Sequence, residues 1–532
     1  MTLLNILLRY INTVRFLRFT QIAHQLKYKT VFPKRKSQTN GQRLKLPPLT
    51  EYPVKPVLLG YNGQSLAFRF LNKTKTFDRQ EIDWTYSQFG LLWTYNLNYL
   101  DWLHQEGMTK EKGLESLLSF YQKVDYNPIA LHPYPTSLRV VNTVKFASKW
   151  QVQEAWLHDQ IVADLNLLMK RLEYHLLANH LLENAFALYI GGLTTAEENA
   201  LNYGKKLLAE QLQEQILNDG MHYERSPMYH LIILERLLDS LNMARAHEDE
   251  MVGLLTTYAA KMTSLALNWR SLDRIPMMQD STNDVAPNLD DILSYARRLL
   301  AGFFPRTPCG LGQSKYRIIT AGPLTLFANV GSVAPSYQPA HAHADELNFE
   351  LYLNGKPVIT DVGVSTYEKN QRRQLERSTE SHNCVSWGGN SSDVWSGFRV
   401  GRRAQVDLML DTDSKILAKH DGHNQGVVTR SYQALGDNSI VIVDSIRPKE
   451  HMNAPAIGRL HLHPEVRIVE LTDQEVLLNN GLKITFNSTK PMRNNTRLGT
   501  YKYAQGYNKL ATAVVICYDV AAELKIQFLK AS

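Results

Sequence analysis

Two histidines one residue apart, His341 and His343, open the segment HAHADELNFELYLNGKPVITDVGVSTYEKNQRRQLERSTESHN, which also carries Asp345, Asp361 and His382. Two imidazoles and a carboxylate can ligate zinc or a similar divalent ion. An HxH pair by itself equally describes two ordinary surface or core histidines. Asn354-Gly355, midway along the segment, reads as a hairpin turn that returns Asp361 toward its partner strand. A strict two-residue turn, with 353 opposite 356 and 352 opposite 357, puts His343 and Asp361 on opposite faces of the sheet. They share a face only if the loop has three residues, a bulge intervenes, or His343 precedes the strand, and one of these is expected.

A second group of reactive side chains lies earlier in the chain. LLANHLLENAFALYIGG places Asn179 and His180 ahead of a helix, and NDGMHYERSPMYH places Tyr223, Arg225, Tyr229 and His230 in a loop and at the next helix start. One helical hairpin separates the two, so Asn179 and Tyr229 should lie at the same end of the helix array. Asn179 taken alone also reads as an N-cap, and Tyr229 as an aromatic packing at a helix start. A third element is HPYPTSLRVVNTVKF, following TYNLNYLDWL. There Tyr134, Arg139, Asn142 and the aromatics Trp93, Tyr95, Tyr99 and Trp102 offer stacking faces and an anion clamp suited to acidic sugars. Half of those aromatics are expected in the core.

The elements that must hold these groups follow from periodicity. From about residue 85 to 302 the apolar spacing is helical, as in LLAEQLQEQIL and in Leu231, Leu234, Leu238 and Leu241. Breaks are expected at Gly191-Gly192, at Asp219-Gly220 and around Pro276, giving successive helical hairpins and an incomplete α/α toroid. After about 310 the texture becomes short apolar or alternating runs between turn residues, among them LTLFANV, SIVIVDSI, VRIVEL, LKITF and ATAVVICYDV. That is the pattern of an antiparallel β-sandwich. The expected organisation is therefore a basic arm and connector over 1–60, a toroid over 61–305 and a sandwich over 306–532.

The bulk composition narrows the classes. Hydrophobic residues make up 44% and charged residues 21% of 532, as in a water-soluble globular protein. Cys309, Cys384 and Cys517 are too few and too far apart for a disulfide framework or a CxxC site. The net charge of +8 is local: residues 1–50 hold ten Lys/Arg and no Asp or Glu, leaving 49 basic against 51 acidic elsewhere. A nucleic-acid partner is not expected, because the body without the arm is not basic and no such motif appears. The arm itself could sit on anionic lipid, polysaccharide or nucleic acid, peripheral contact with a membrane among them. It also suits packing on the body through Leu7, Phe16 and Phe19. Residues 3–20 are interrupted by Arg9, Arg15 and Arg18 and are followed by no small-residue cleavage site, so they fit neither a signal peptide nor a membrane span. A cytoplasmic location is the expectation, with periplasmic or membrane-associated placement as the alternatives.

In order along the chain, HPYPTSLRVVN, ANHLLENAFAL, DGMHYERSPMYH and the His341–Asn383 segment resemble the heparinase II/III superfamily of polysaccharide lyases. The resemblance implies an α/α toroid joined to a β-sandwich. It implies Asn179, with His180, as the group that neutralises a uronate carboxylate, and Tyr229, His341 and Tyr367 as catalytic residues. It implies His343, Asp361 and His382 as ligands of one structural divalent metal, zinc first, with calcium or manganese as alternatives. Arg225 and Arg377 join Tyr134, Arg139 and Asn142 as candidate substrate contacts.

The chemistry explains these residue types. The C5 proton of a uronate is barely acidic while its carboxylate is ionised, so a donor must hydrogen-bond that carboxylate as charge develops. A base must reach C5, and an unassisted phenol with a pKa of about 10 is a poor one unless nearby cations favour the phenolate. The leaving oxygen needs a proton, from Tyr229 or His341 according to stereochemistry. The function expected is β-eliminative cleavage of a uronate-containing anionic polysaccharide: glycosaminoglycan, alginate or exopolysaccharide. The alternative is a non-catalytic glycan-binding or assembly protein of capsule or exopolysaccharide biosynthesis. Hydrolysis by a carboxylate pair is disfavoured, since these blocks offer no obvious acidic pair.

Overall fold

The computed structural model describes residues 3–30, 33–37, 41–449, 456–488 and 496–530. Within them an incomplete α/α toroid precedes an antiparallel β-sandwich. Helices Leu91–Tyr99, Pro133–Trp150, Ala178–Thr195, Pro227–Ala246 and Leu289–Leu300 pack against one another in sequence order, and helices Ala155–Lys170, Glu198–Gln215 and Val252–Ala266 back them from outside. The inner position of Ala178–Thr195 explains its composition. Almost every residue in it is buried, so it is apolar or small all round rather than amphipathic. Asp219-Gly220 and the Pro276 region do interrupt the helices, whereas Gly191-Gly192 does not. Both glycines lie inside Ala178–Thr195, where a Cβ on Gly191 would come within 2.8 Å of Leu165 and one on Gly192 within 2.7 Å of the Leu201 backbone. They permit close helix contact, and the expected break was a misreading of that packing requirement.

The sandwich sets an eight-stranded sheet, with Gly426–Ala434, Ser439–Pro448 and Glu523–Lys530 among its inner strands, against two four-stranded sheets. Alternation builds the shared core. Ile440 pairs with Phe528 and Ile442 with Ile526, and all four are buried against residues such as Leu324, Leu326 and Ile516 of the opposing sheets. One four-stranded sheet runs Tyr316–Ala321, Leu324–Asn329, Phe349–Leu353, Lys356–Ile359, and a bridge from Ile359 to Leu462 joins it to the other. The hairpin at Asn354-Gly355 pairs 353 with 356 and 352 with 357, then shifts by one so that Leu351 faces Ile359. His343 also lies ahead of the first strand. Two of the three ways of bringing His343 and Asp361 together are thus both present.

Three features extend or correct the sequence expectation. Leu59–Asn62, Ser65–Phe70 and Lys73–Asp78 form a small antiparallel meander ahead of the toroid, its polar KTKTFD edge carrying no apolar alternation to betray it. Within the expected sandwich region, strands Val406–Asp411, Lys415–His423 and Gly426–Ala434 add to the segments singled out by their apolar runs. In the arm, only Phe16 of the three anticipated anchors packs on the body, under the Arg403 guanidinium at 3.7 Å, while Leu7 and Phe19 remain exposed.

Candidate active site

The first turns of helices Pro133–Trp150, Ala178–Thr195 and Pro227–Ala246 and the last turn of Leu91–Tyr99 carry the side chains of the site. Tyr134 packs on His180 with ring centroids 4.6 Å apart and the planes tilted by 52°, and lies edge-on to Tyr99 at 5.8 Å. Leu177 (φ 63°) and Ala178 (φ 54°) are consecutive left-handed residues, a costly backbone that aims Asn179 inward from the first turn. Asn179 Nδ2 lies 3.0 Å from both Glu224 oxygens, and its backbone N–H donates to the same carboxylate. The two oxygens of one carboxylate subtend a narrow angle while the two N–H bonds of an amide diverge. One N–H is therefore shared between them, and the second turns toward His341, whose Nε2 is 3.5 Å from Nδ2. His180 Nδ1 lies 3.0 Å from Glu173 Oε1. Burial opposes protonation of this ring, yet the Glu173 carboxylate outweighs it and raises the His180 pKa.

Ser226 caps helix Pro227–Ala246 through the Tyr229 backbone N–H, Pro227 follows at the first helical position, and Tyr229 is thereby fixed in the first turn. Its ring lies against His341, centroids 4.0 Å apart, and its hydroxyl is 3.3 Å from that of Tyr367. Burial raises the Tyr229 pKa, with the Tyr367 hydroxyl working the other way, so the phenol keeps its proton in the free protein. The cation beside this pair is Arg373, 4.9 Å over the Tyr367 ring.

The histidine loop is organised by Asp280, from the connection between helices Val252–Ala266 and Leu289–Leu300. Its carboxylate lies 2.8 Å from His341 Nδ1 and 2.8 Å from His343 Nε2, and Arg373 donates to both oxygens. Despite complete burial, Arg373 and then the two histidine hydrogen bonds hold this carboxyl well below the usual range. An ionised acceptor at Nδ1 places the proton of neutral His341 there and leaves Nε2 as a lone pair facing Asn179.

His343, Asp361 and His382 do come together. The two imidazole centroids are 5.2 Å apart, and His382 Nδ1 is 2.7 Å from Asp361 Oδ2. Burial pushes His343 down to about 4, so it is neutral near pH 7, as a metal ligand must be. His343 Nδ1 and His382 Nε2 are buried without a partner. The Asp361 oxygens are instead occupied by His382, Asn348 and the Gly363 N–H. Among the described residues no three His, Cys, Asp or Glu side chains are arranged as a closed metal centre. Two orphaned imidazole nitrogens fit an ion; the carboxylate, as it stands, orients His382.

A family model described as heparinase II/III N-terminus matches residues 136–307, and one described as heparinase II/III-like, C-terminal, matches 306–528. The chain belongs to the heparinase II/III superfamily. A heparin-sulfate lyase of Bacteroides thetaiotaomicron is 27% identical over 256 residues, covering 40% of this chain and 36% of that protein. One of Bacteroides stercoris is 24% identical over 260 residues, covering 41% and 37%. The chain thus spans little more than a third of the curated relatives it matches. Among solved structures, heparinase III superposes with a TM-score of 0.64 at 17% identity, covering 85% of this chain and 80% of the other. A heparan sulfate lyase from Pedobacter heparinus gives 0.53 at 17% identity over 86% and 79%.

Against this superfamily frame, four anticipated substrate contacts are corrected. Arg139 is fully buried and closed on Asp164 through Nε and Nη2, both 2.8 Å, so it ties two helices together. Asn142 donates to the Tyr99 carbonyl and to Asp101. Arg377 is buried and clamps the Ala342 carbonyl, holding the histidine loop's backbone. Arg225 turns its Nη1 to the Ser332 carbonyl, 2.9 Å, and the cation beside the tyrosines is Arg373. Of that set Tyr134 and Arg225 are half-buried, whereas Arg139, Asn142 and Arg377 are buried. Of the anticipated stacking aromatics, Trp93 and Trp102 are core. Asp280, Glu224 and Arg373 were not foreseen. Glu224 and Arg373 stood inside the quoted motifs, but Asp280 carried no local signal.

Proposed function

We propose that the protein is a polysaccharide lyase that cleaves a uronate-containing polymer by β-elimination, with a glycosaminoglycan of the heparan sulfate kind as the first substrate to test and alginate or an exopolysaccharide next. The observation that carries this reading is the meeting of Asn179, Tyr229 and His341, from three separate segments, at one point, with His341 backed by Asp280. On substrate binding, the Asn179 N–H that faces His341 Nε2 in the free protein turns to the uronate carboxylate and, assisted by His180, stabilises the aci-carboxylate as the C5–H bond breaks. His341 Nε2 takes the C5 proton. The C5 electrons form the C4–C5 double bond, the C4–O bond breaks, and Tyr229 protonates the departing oxygen. The tyrosinate regains a proton from the His341 imidazolium against which it packs. With the two rings in contact, acid and base stand side by side, which favours a uronate whose H5 and O4 share one face, as in a gluco-configured unit.

A divalent ion, zinc first, with calcium or manganese as alternatives, is proposed to bind through His343 and His382, with Asp361 as the carboxylate of the set. It would supply charge and rigidity to the loop that carries His341. Chelation is expected to lower the melting temperature, with turnover falling secondarily, and His382→Ala should reproduce the effect without adding to it. Equal melting curves with and without chelator, alongside a metal-free elemental analysis, would remove the ion.

Incubation with uronate polysaccharides in heavy-oxygen water tests the reaction. New ultraviolet absorbance from unsaturated uronate ends, with no label at the new reducing end, is expected. Label incorporation would mean hydrolysis, and binding without any cleavage would favour the glycan-assembly alternative.

A further inference from the structure

The arm helix Leu3–Val14 is docked the wrong way round for a protein in water. Arg9 grips Asp393 through Nε and Nη2 at 2.8 and 2.6 Å, Trp395 Nε1 donates to Thr13 Oγ1, and Tyr10 meets the Trp395 ring edge-on at 5.1 Å. These contacts use the polar side of the helix. At helical spacing, the opposite side carries Leu3, Leu4, Leu7, Leu8, Ile11 and Val14 (Leu3 83% exposed, Leu4 63%, Val14 still 49%). The next helix, Phe19–Thr30, is likewise held by its polar side, Gln21 Nε2 donating to the Tyr337 carbonyl, and leaves Phe19 and Leu26 outward. Contiguous exposed aliphatics of this extent mark an interaction surface.

Charge decides what covers it. No Asp or Glu occurs in residues 1–50, while Arg15, Lys27 and Lys29 stand exposed around the apolar face. A second copy pairing face to face would bring the exposed Arg15, Lys27 and Lys29 of both arms together. A soluble anionic polysaccharide would match the charge and leave the leucines in water. An anionic bilayer satisfies both, burying aliphatics in the acyl region with Arg and Lys at the headgroups. We propose that the two arm helices form an interfacial anchor that lays the protein on an anionic lipid surface. Among the described residues no helix is long and apolar enough to cross a membrane. The anchor rests on the same segment, 393–398, that supplies Phe398 against Tyr367 and the Gly397 carbonyl to Arg373, which fixes the candidate active site relative to the membrane plane.

The full chain is to be sedimented with vesicles of phosphatidylcholine alone and of phosphatidylcholine with phosphatidylglycerol. Partition onto the anionic vesicles is expected, weakened but not abolished by salt. Leu4→Ser, Leu8→Ser and Ile11→Ser combined should lower it at least about tenfold while leaving the melting temperature and turnover of a soluble substrate unchanged, since all three side chains are exposed. Three outcomes overturn the proposal: no binding to anionic vesicles, binding unaffected by the triple substitution, or concentration-dependent dimers that the triple substitution dissolves. Because the readout is lipid partition, failure here leaves the lyase reading standing, and loss of catalysis leaves this one standing.

Discussion

Replacing Tyr229 by Phe is expected to lower kcat at least about a hundredfold, the usual scale for removing a positioned acid or base. The hydroxyl hydrogen-bonds to the Tyr367 hydroxyl at 3.3 Å, and the ring keeps its packing on His341 without it. The melting temperature should therefore move by no more than a few degrees, the size of an ordinary single contact. KM should change far less than kcat, because the proton is delivered only as the C4–O bond breaks. His341→Ala should match it in turnover. If Tyr229→Phe retained near-normal turnover, Tyr367→Phe would become the decisive variant. Tyr223, the other tyrosine of the same segment, is not an alternative, since its hydroxyl is hydrogen-bonded to that of Tyr337 at 3.0 Å and its side chain is buried.

The parts of the site legible in sequence were those whose residues are neighbours in the chain or related by one supersecondary step. His341 and His343 advertise themselves by spacing, and Asn354-Gly355 announces the return of Asp361. One helical hairpin was enough to place Asn179 and Tyr229 at the same end. What sequence could not reveal was intramolecular closure of charge. Arg139 and Arg377 look like anion clamps because an exposed and a neutralised guanidinium are spelled alike; Asp164 and the Ala342 carbonyl, which close them, lie 25 and 35 residues away. Glu224 stood beside Arg225 in a motif already singled out, yet its partner Asn179 is 45 residues distant. Gly191-Gly192 shows the same limit for packing: glycine needed for close contact inside a helix reads like glycine that ends one.

Asp280 is the extreme of this kind, and its substitution should have the largest effect of any in the site. Asp280→Asn keeps the size of the side chain but presents an amide N–H or a weaker carbonyl to His341 Nδ1, His343 Nε2 and Arg373 at once. Two losses should follow. The Nδ1–H tautomer of His341 is no longer enforced, so turnover should fall on the order of ten-thousandfold, as when the carboxylate orienting a catalytic histidine is lost. Arg373, fully buried, is left with an uncompensated charge, so stability should fall by about 3–5 kcal/mol. The two are separable by adding Arg373→Met to Asp280→Asn, which removes the stranded charge. Unfolding measurements should then recover most of the lost stability, while kcat stays low because nothing restores the tautomer. Should kcat rise with stability in the double variant, Asp280 would be a scaffold for the two loops and no more. Turnover that stays low in a well-folded protein assigns it to the orientation of His341.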